Sequence, residues 1–325
     1  MQPSKTTVIG LFNAPFQYQI PIFQRGYVWT LEKQVAPLWS DIQSQADALL
    51  ERQQLTSGAT TAMKPLPKHF LGSIVMTPVP NAFGRVPMYE VIDGQQRCTT
   101  LHLLLLAMLH AAKDSGQTSV AQMAAAVVRN PGPYLVDAND QHKVWPTQAG
   151  RQEMQGINAA TSVAQICTAY PARDGRNRID RPLMVQTFLY LYHACLAYMR
   201  GVDLSDPVPH PGGADPDRSH SDVLVASIRN ANAVVPVPAA GKANALRAQA
   251  LYMALADQVQ LMTLSLDVDD DPQVIFETLN ARGEPLLASD LVRNFLFLEA
   301  ARHGQPVDAL YASYSDIFTP QSNVD

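Results

Sequence analysis

The sequence is poor in charge, in cysteine and in long apolar runs. Only 16 % of its residues are Asp, Glu, Lys or Arg, against about a quarter in typical soluble domains. That excludes a charged coiled coil, a solvated disordered chain and a polybasic tail. The three cysteines, Cys98, Cys167 and Cys195, lie far apart with no CxxC pair, a pattern of reduced thiols rather than a disulfide framework or zinc site. Between Met1 and Phe16 no basic region leads into an apolar run, so no signal peptide is expected and the localisation read is cytoplasmic. The most apolar long segment, Leu183–Met199, contains Gln186, His193 and several tyrosines. At about 17 residues it is at the short edge for a bilayer span; it reads as a buried core helix, with no membrane contact. Several catalytic signatures are missing too. Gly241-Lys242 lacks the upstream glycine and the following hydroxyl of a P-loop, and no GxGxxG, HExxH, GxSxG or His–Asn–His arrangement appears.

What is present is apolar surface. Hydrophobic residues make up 47 % of 325, enough for a substantial core and a prior of about two domains. Lys plus Arg number 24 and Asp plus Glu 29, a net charge of −5, so DNA contact needs a local basic groove. The periodicities predict an α+β chain without internal repeats. Gln17–Phe23 alternates as a short strand, with Tyr18, Ile20 and Ile22 on one side. Thr30 caps a helix carrying Val35, Leu38, Trp39, Ile42, Ala46 and Leu49. Leu55–Lys68 reads as a loop, and Phe70–Thr77 and Met88–Asp93 as paired strands. Thr99 precedes a leucine-rich helix at Leu101–His110; Ala121–Arg129, Arg181–Arg200 and Lys242–Asp257 are further helices. Asp203–Asp222, with four prolines and two adjacent glycines, reads as an exposed, mobile insertion. Met262, Leu264 and Leu266 alternate as a strand, Asp271-Pro272 starts a helix ending near Gly283, and Ser289 caps another running to Gly304.

Three clusters carry candidate chemistry. The first, Val91-Ile92-Asp93-Gly94-Gln95-Gln96-Arg97-Cys98-Thr99-Thr100, is a strand, a glycine turn and a helix N-terminus, whose free N–H groups and dipole favour an anion. Arg97 adds a bidentate phosphate donor, Gln95 and Gln96 amide donors, and Asp93 a carboxylate suited to a metal or a water. A polar turn in which Asp93 and Thr99 merely cap stays open beside that reading. The second, Gln24-Arg25-Gly26-Tyr27-Val28-Trp29, suits phosphate binding with base stacking, and equally a pair of aromatic core anchors beside an arginine that needs a partner. The third, Phe276 to Gly283, places Glu277 and Asn280 on one helix face, and Asp290, Arg293 and Asn294 follow at helical spacing. A structural salt-bridge network explains these as well as a site does. Asp267, Asp269, Asp270 and Asp271 read as a solvated loop and helix cap.

At these clusters the sequence resembles the N-terminal domain of GmrSD-type, modification-dependent (type IV) restriction endonucleases, a group that includes SspE-like phosphorothioate-sensing proteins. The matching pieces are Ile20 to Trp29, Phe70-Leu71-Gly72-Ser73-Ile74-Val75, Val91 to Thr100, Lys143-Val144-Trp145-Pro146-Thr147, and Phe276 to Gly283 with Pro285-Leu286, Asp290-Leu291 and Arg293-Asn294. Each alone is weak; five in the family's order, spanning nearly the whole chain, are strong. The resemblance implies a small ParB/sulfiredoxin-like core over 1–112, a helical region over 113–258 with its insertion near 203–222, and a segment over 259–325 that completes a nucleotide site. It implies an NTP-hydrolysing, DNA-sensing module in a bacterial anti-phage system, acting on GTP or ATP with Mg²⁺. Asp93, Gly94, Gln95, Gln96 and Arg97 would form the site with Thr99, joined by Gln24, Arg25, Glu277, Asn280 and Arg282. Arg97 and Arg25 would hold phosphates, Asp93 or Glu277 would position the metal or the attacking water, with Asp93 as metal ligand, and Asn280 would be an auxiliary donor. Tyr27 and Trp29 would contact modified DNA. Up to Asp325 the family's nuclease histidine pattern is missing, which implies that a further nuclease domain or a partner chain does the cutting. A homo-oligomer is compatible with all of this. The alternatives from other classes are a DNA- or partner-binding module that hydrolyses nothing, and a ParB-like nuclease.

Overall fold

A computed structural model describes residues 2–21, 24–56, 65–80, 84–132, 135–210, 213–234, 237, 241–267 and short pieces between 296 and 314. In chain order the main elements are β1 (Gln2–Thr7), α1 (Val8–Asn13), β2 (Gln17–Gln19), α2 (Ala36–Thr56), β3 (His69–Val79), β4 (Met88–Asp93), α3 (Gln95–Asp114), α4 (Thr118–Val128), β5 (Val144–Trp145), α5 (Gln148–Ala159) and α6 (Val163–Ala169). They continue with the short β6 (Arg173–Asp174) and β7 (Asn177–Arg178), then α7 (Leu183–Met199), β8 (Pro207–His210), β9 (Gly213–Ser219), α8 (His220–Asn230), α9 (Ala245–Met253) and β10 (Val259–Ser265). The chain is α+β, as its periodicities predict.

Six strands form one mixed sheet in the order β1-β10-β3-β4-β2-β5. The β3–β4 pair is antiparallel, with Met76 opposite Val91. β2 runs parallel to both β4 and β5, with Tyr18 between Tyr89 and Val144. β10 lies between β1 and β3, so the late segment supplies an interior strand of the sheet that the N-terminal strands begin. Side chains alternate across a strand, and this sheet buries apolar groups on both faces. Ile74, Met76 and Val91 join the main core, while Val75, Ile92 and Leu266 form a smaller cluster with Leu264 against it.

The main core is built on α3 and α7. Every residue from Cys98 to Ala112 is buried, and so is every residue from Met184 to Met199. A helix that is apolar on all sides belongs inside, so the 17-residue α7 is the core helix its composition predicts. Among the described residues no helix is long and apolar enough to cross a membrane. Cys98 and Cys195 are buried free thiols and Cys167 is half-buried.

Several elements depart from expectation. The strand at β2 is three residues long, and Ile22 and Phe23 lie outside the described residues. Thr30 makes no side-chain cap; the Gln34 carboxamide oxygen accepts from the Thr30 amide at 3.0 Å instead, and a π-helical turn at Leu31–Val35 leads into α2. Thr99 does not precede its helix but lies inside it, because α3 begins four residues earlier behind Gly94. The strand expected from the Met262–Leu266 alternation is present as β10; its buried set is Val259, Leu261 and Thr263, with Met262 exposed. Asp203–Asp222 contains the antiparallel hairpin of β8 and β9 followed by the capping box that starts α8, and buried Leu204 ties it down. Most of the Leu55–Lys68 loop, the helix expected from Asp271 and the cap at Ser289 lie outside the described residues.

Candidate functional site

β4 ends at Asp93, and Gly94 turns the chain with φ of 84° into α3. That left-handed conformation favours glycine, and space demands it as well: a Cβ here would sit 2.8 Å from the Ser73 carbonyl oxygen. The amides of Gln95, Gln96 and Arg97 therefore stand in the first turn of a 20-residue helix, before intrahelical acceptors become available.

Arg97 reaches back from this turn to β3. Its Nη1 donates to the Ser73 carbonyl at 2.6 Å, and the guanidinium lies over Gly72, where a Cβ would come within 3.0 Å of it. Gly72 itself has φ of 100°. Burial pushes the Arg97 pKa down, and the nearby Asp93 carboxylate opposes that shift. The Phe70–Val75 and Val91–Thr100 motifs thus meet through one side chain.

The 24–29 loop docks on the same turn through amides. Gln24 Nε2 donates to the Val91 and Ile92 carbonyls at 3.1 and 3.0 Å. Gln96 clamps the loop from the other side: its Oε1 accepts from the Val28 amide and its Nε2 donates to the Gly26 carbonyl, both at 2.9 Å. The Tyr27 hydroxyl lies 2.7 Å from Thr100 Oγ1 and 3.2 Å from Thr187 Oγ1, and burial raises its pKa to about 12. Tyr27 and Trp29 both pack against the main core, which is the aromatic-anchor alternative of the sequence reading.

Arg25, Tyr27, Gln95, Thr99 and Thr147 line a cleft at this junction. Its free volume is about 10 Å³, close to the room one water needs. Thr147 belongs to the Lys143–Thr147 motif, so the fourth matching segment closes on the first and third. That contact was invisible in the sequence, where the motif had a place in the resemblance and no role. Lys143 is 1 % exposed, donates to the Ala14 carbonyl at 2.5 Å, and has its pKa pushed by burial down to about 8.

One charge at the junction is uncommitted. The Arg25 side chain makes no hydrogen bond or ion pair with another described residue, while Asp93 makes no side-chain hydrogen bond among them but faces the Arg97 charge. The Oε1 atoms of Gln24 and Gln95 are buried without partners, which leaves two acceptors beside the turn. Among the described residues no group of three His, Cys, Asp or Glu could enclose a metal. A magnesium ion at the turn would find one described carboxylate, Asp93, and would need its remaining ligands from elsewhere. Glu277, Asn280 and Arg282 lie outside the described residues.

No curated protein matches the chain significantly. The family model described as GmrSD restriction endonuclease, N-terminal domain, matches residues 8–297, a span that contains all five motifs and every candidate residue. The chain therefore belongs to the GmrSD restriction endonuclease N-terminal domain family, and is part of a restriction endonuclease system of the kind that acts on modified DNA.

Proposed function

We propose that this domain binds GTP or ATP at the turn after β4, hydrolyses it with Mg²⁺, and couples turnover to modified DNA and to a nuclease domain or partner chain. The observation that carries the reading is the uncommitted Arg25 guanidinium in the cleft at the first turn of α3, with the Asp93 carboxylate at the end of β4 beside Arg97. A helix N-terminus favours anions, and a free guanidinium beside it supplies the phosphate fork. Asp93 would hold the magnesium ion, which supplies charge neutralisation at the phosphate oxygens. Arg97, fixed on Ser73, positions the turn and adds positive potential behind it. In this reading Glu277, Asn280 and Arg282 converge on the same nucleotide, and the 24–29 loop, whose exposed apolar position is Val28, brings DNA and nucleotide together.

One observation favours the alternative, a module that binds and hydrolyses nothing. Gln24, Gln96 and Arg97 are all spent on backbone carbonyls and amides of the protein itself, and the cleft has no room for a phosphate chain, which must approach from outside it. Phosphate release from GTP and ATP with Mg²⁺, measured with modified DNA, plain DNA and none, separates the two. Turnover that modified DNA changes and Arg25→Ala abolishes supports the NTPase. A folded protein with no turnover under any of these conditions leaves the binding module.

A further inference from the structure

Away from that turn, a cavity of about 690 Å³ opens between α6, the C-terminal half of α7 and the chain at Asn232–Val234. Its volume falls in the range of small-molecule sites. Val163, Ala164 and Leu196 give it an apolar wall, and Cys167, His193 and Arg200 add polar groups.

His193 is the group that the fold leaves unexplained. It is 6 % exposed, and neither ring nitrogen has a hydrogen-bond partner. A neutral imidazole carries one donor and one acceptor, and leaving both buried and unpaired is costly. Burial and the adjacent Arg200 push its pKa down to about 4, so the ring is neutral near pH 7. Its position is set from the side: Tyr192 meets it edge-on at 4.9 Å, and the Tyr192 hydroxyl is anchored on Asp114 Oδ2 at 2.7 Å. The ring torsion of histidine is broad, so a modest turn presents a nitrogen to the cavity.

Arg200 follows the last turn of α7. It lines the same cavity, and its guanidinium has no ion-pair or hydrogen-bond partner among the described residues. Among the described residues no lysine and no second arginine lines the cavity. One cation against an apolar wall matches one negative charge on an apolar body. It matches a phosphate monoester, with nearly two charges, less well.

We propose that this cavity is a binding site for a small organic carboxylate with a flat, largely apolar body. Arg200 holds the carboxylate, His193 pairs with a polar atom on the body, and Val163, Ala164 and Leu196 cover the remainder. The site is separate from the turn after β4. Thr187 of α7 touches Tyr27 there, and His193 lies six residues further along the helix, about 9 Å at the usual rise.

The test is calorimetric titration of the full chain with hydroxynaphthoate, naphthoate, hydroxynaphthamide and naphthyl phosphate. The proposal expects saturable binding of one hydroxynaphthoate per chain, weakened by roughly tenfold or more when the carboxylate becomes an amide or when Arg200→Gln removes the cation. His193→Phe keeps the wall and removes the preference for hydroxynaphthoate over naphthoate. Arg25→Ala leaves binding unchanged. The proposal is overturned by an absence of saturable binding, by equal affinity for acid and amide, by wild-type affinity in Arg200→Gln, by tighter binding of naphthyl phosphate, or by loss of binding in Arg25→Ala.

Discussion

Arg97 and Arg25 are both candidate phosphate ligands, yet the structure makes them opposites in stability. Arg97→Ala deletes the 2.6 Å bond to the Ser73 carbonyl and the cover over Gly72. A hydrogen bond made by a charged group contributes about 1.5–3 kcal/mol. Part of that is offset, because burial disfavours the Arg97 charge and the variant no longer buries it. The net loss expected is about 1–2 kcal/mol, a fall in Tm of about 1.5–3 °C for a chain of this size. Arg97→Met keeps the stem over Gly72 and removes only the bond, so it should fall between Ala and wild type. Arg25→Ala removes a side chain with no partner among the described residues and should stay within about 0.5 kcal/mol of wild type. Urea denaturation of the four proteins, paired with phosphate release, reads both properties at once. Wild-type stability in Arg97→Ala, or a loss in Arg25→Ala as large as the one expected for Arg97→Ala, would refute this division of labour.

Other perturbations test other parts of the fold. Gln96→Leu leaves the Val28 amide and Gly26 carbonyl without their clamp; a loss of about 1–3 kcal/mol and faster hydrogen exchange at residues 24–28 are expected, and unchanged exchange would show that the clamp does not hold the loop. His102 and His193 have folded pKa values lowered to about 4, chiefly by burial, so between pH 4 and about 6.5 the unfolded chain binds more protons and stability falls as pH falls. The two together are worth several kcal/mol on the order of magnitude, and a urea midpoint unchanged between pH 7 and 5 would contradict it. Lys143, lowered to about 8 by burial, acts the same way at higher pH: stability should rise from pH 8 toward about 10, and Lys143→Met should remove that slope in denaturant midpoints.

The parts of this architecture legible in the sequence are those set by neighbours along the chain. The β3–β4 pair, the core helices α3 and α7 and the glycine turn each follow from local periodicity or from one residue with special backbone freedom. What local pattern leaves open has a shared physical source. Met262, Leu264 and Leu266 alternate as a strand should, yet both faces of β10 bury apolar groups, so alternation alone could not say which parity faces the helices. Its place between β1 and β3 rests on pairing across most of the chain, which no local pattern encodes. The prolines and glycines of Asp203–Asp222 mark turns equally well in a loop and in a hairpin. Thr99 reads as a helix start because an N-cap hydroxyl is the common signal, whereas here Gly94 with a left-handed backbone takes that place.

The candidate site shows the same limit in sharper form. A glutamine amide offers the same donors to a phosphate and to a peptide carbonyl, so Gln24 and Gln96 read as ligands from the sequence and turn out to be braces between segments. The motif most recognisable along the chain is thus largely internal framework at this turn. The described groups left to meet a nucleotide here are few: the first-turn amides of α3, the Gln95 side chain, Arg25 and Asp93. A framework that commits its amides to itself can hold those few groups in fixed relation without a ligand present, which is the preorganisation that phosphoryl transfer requires.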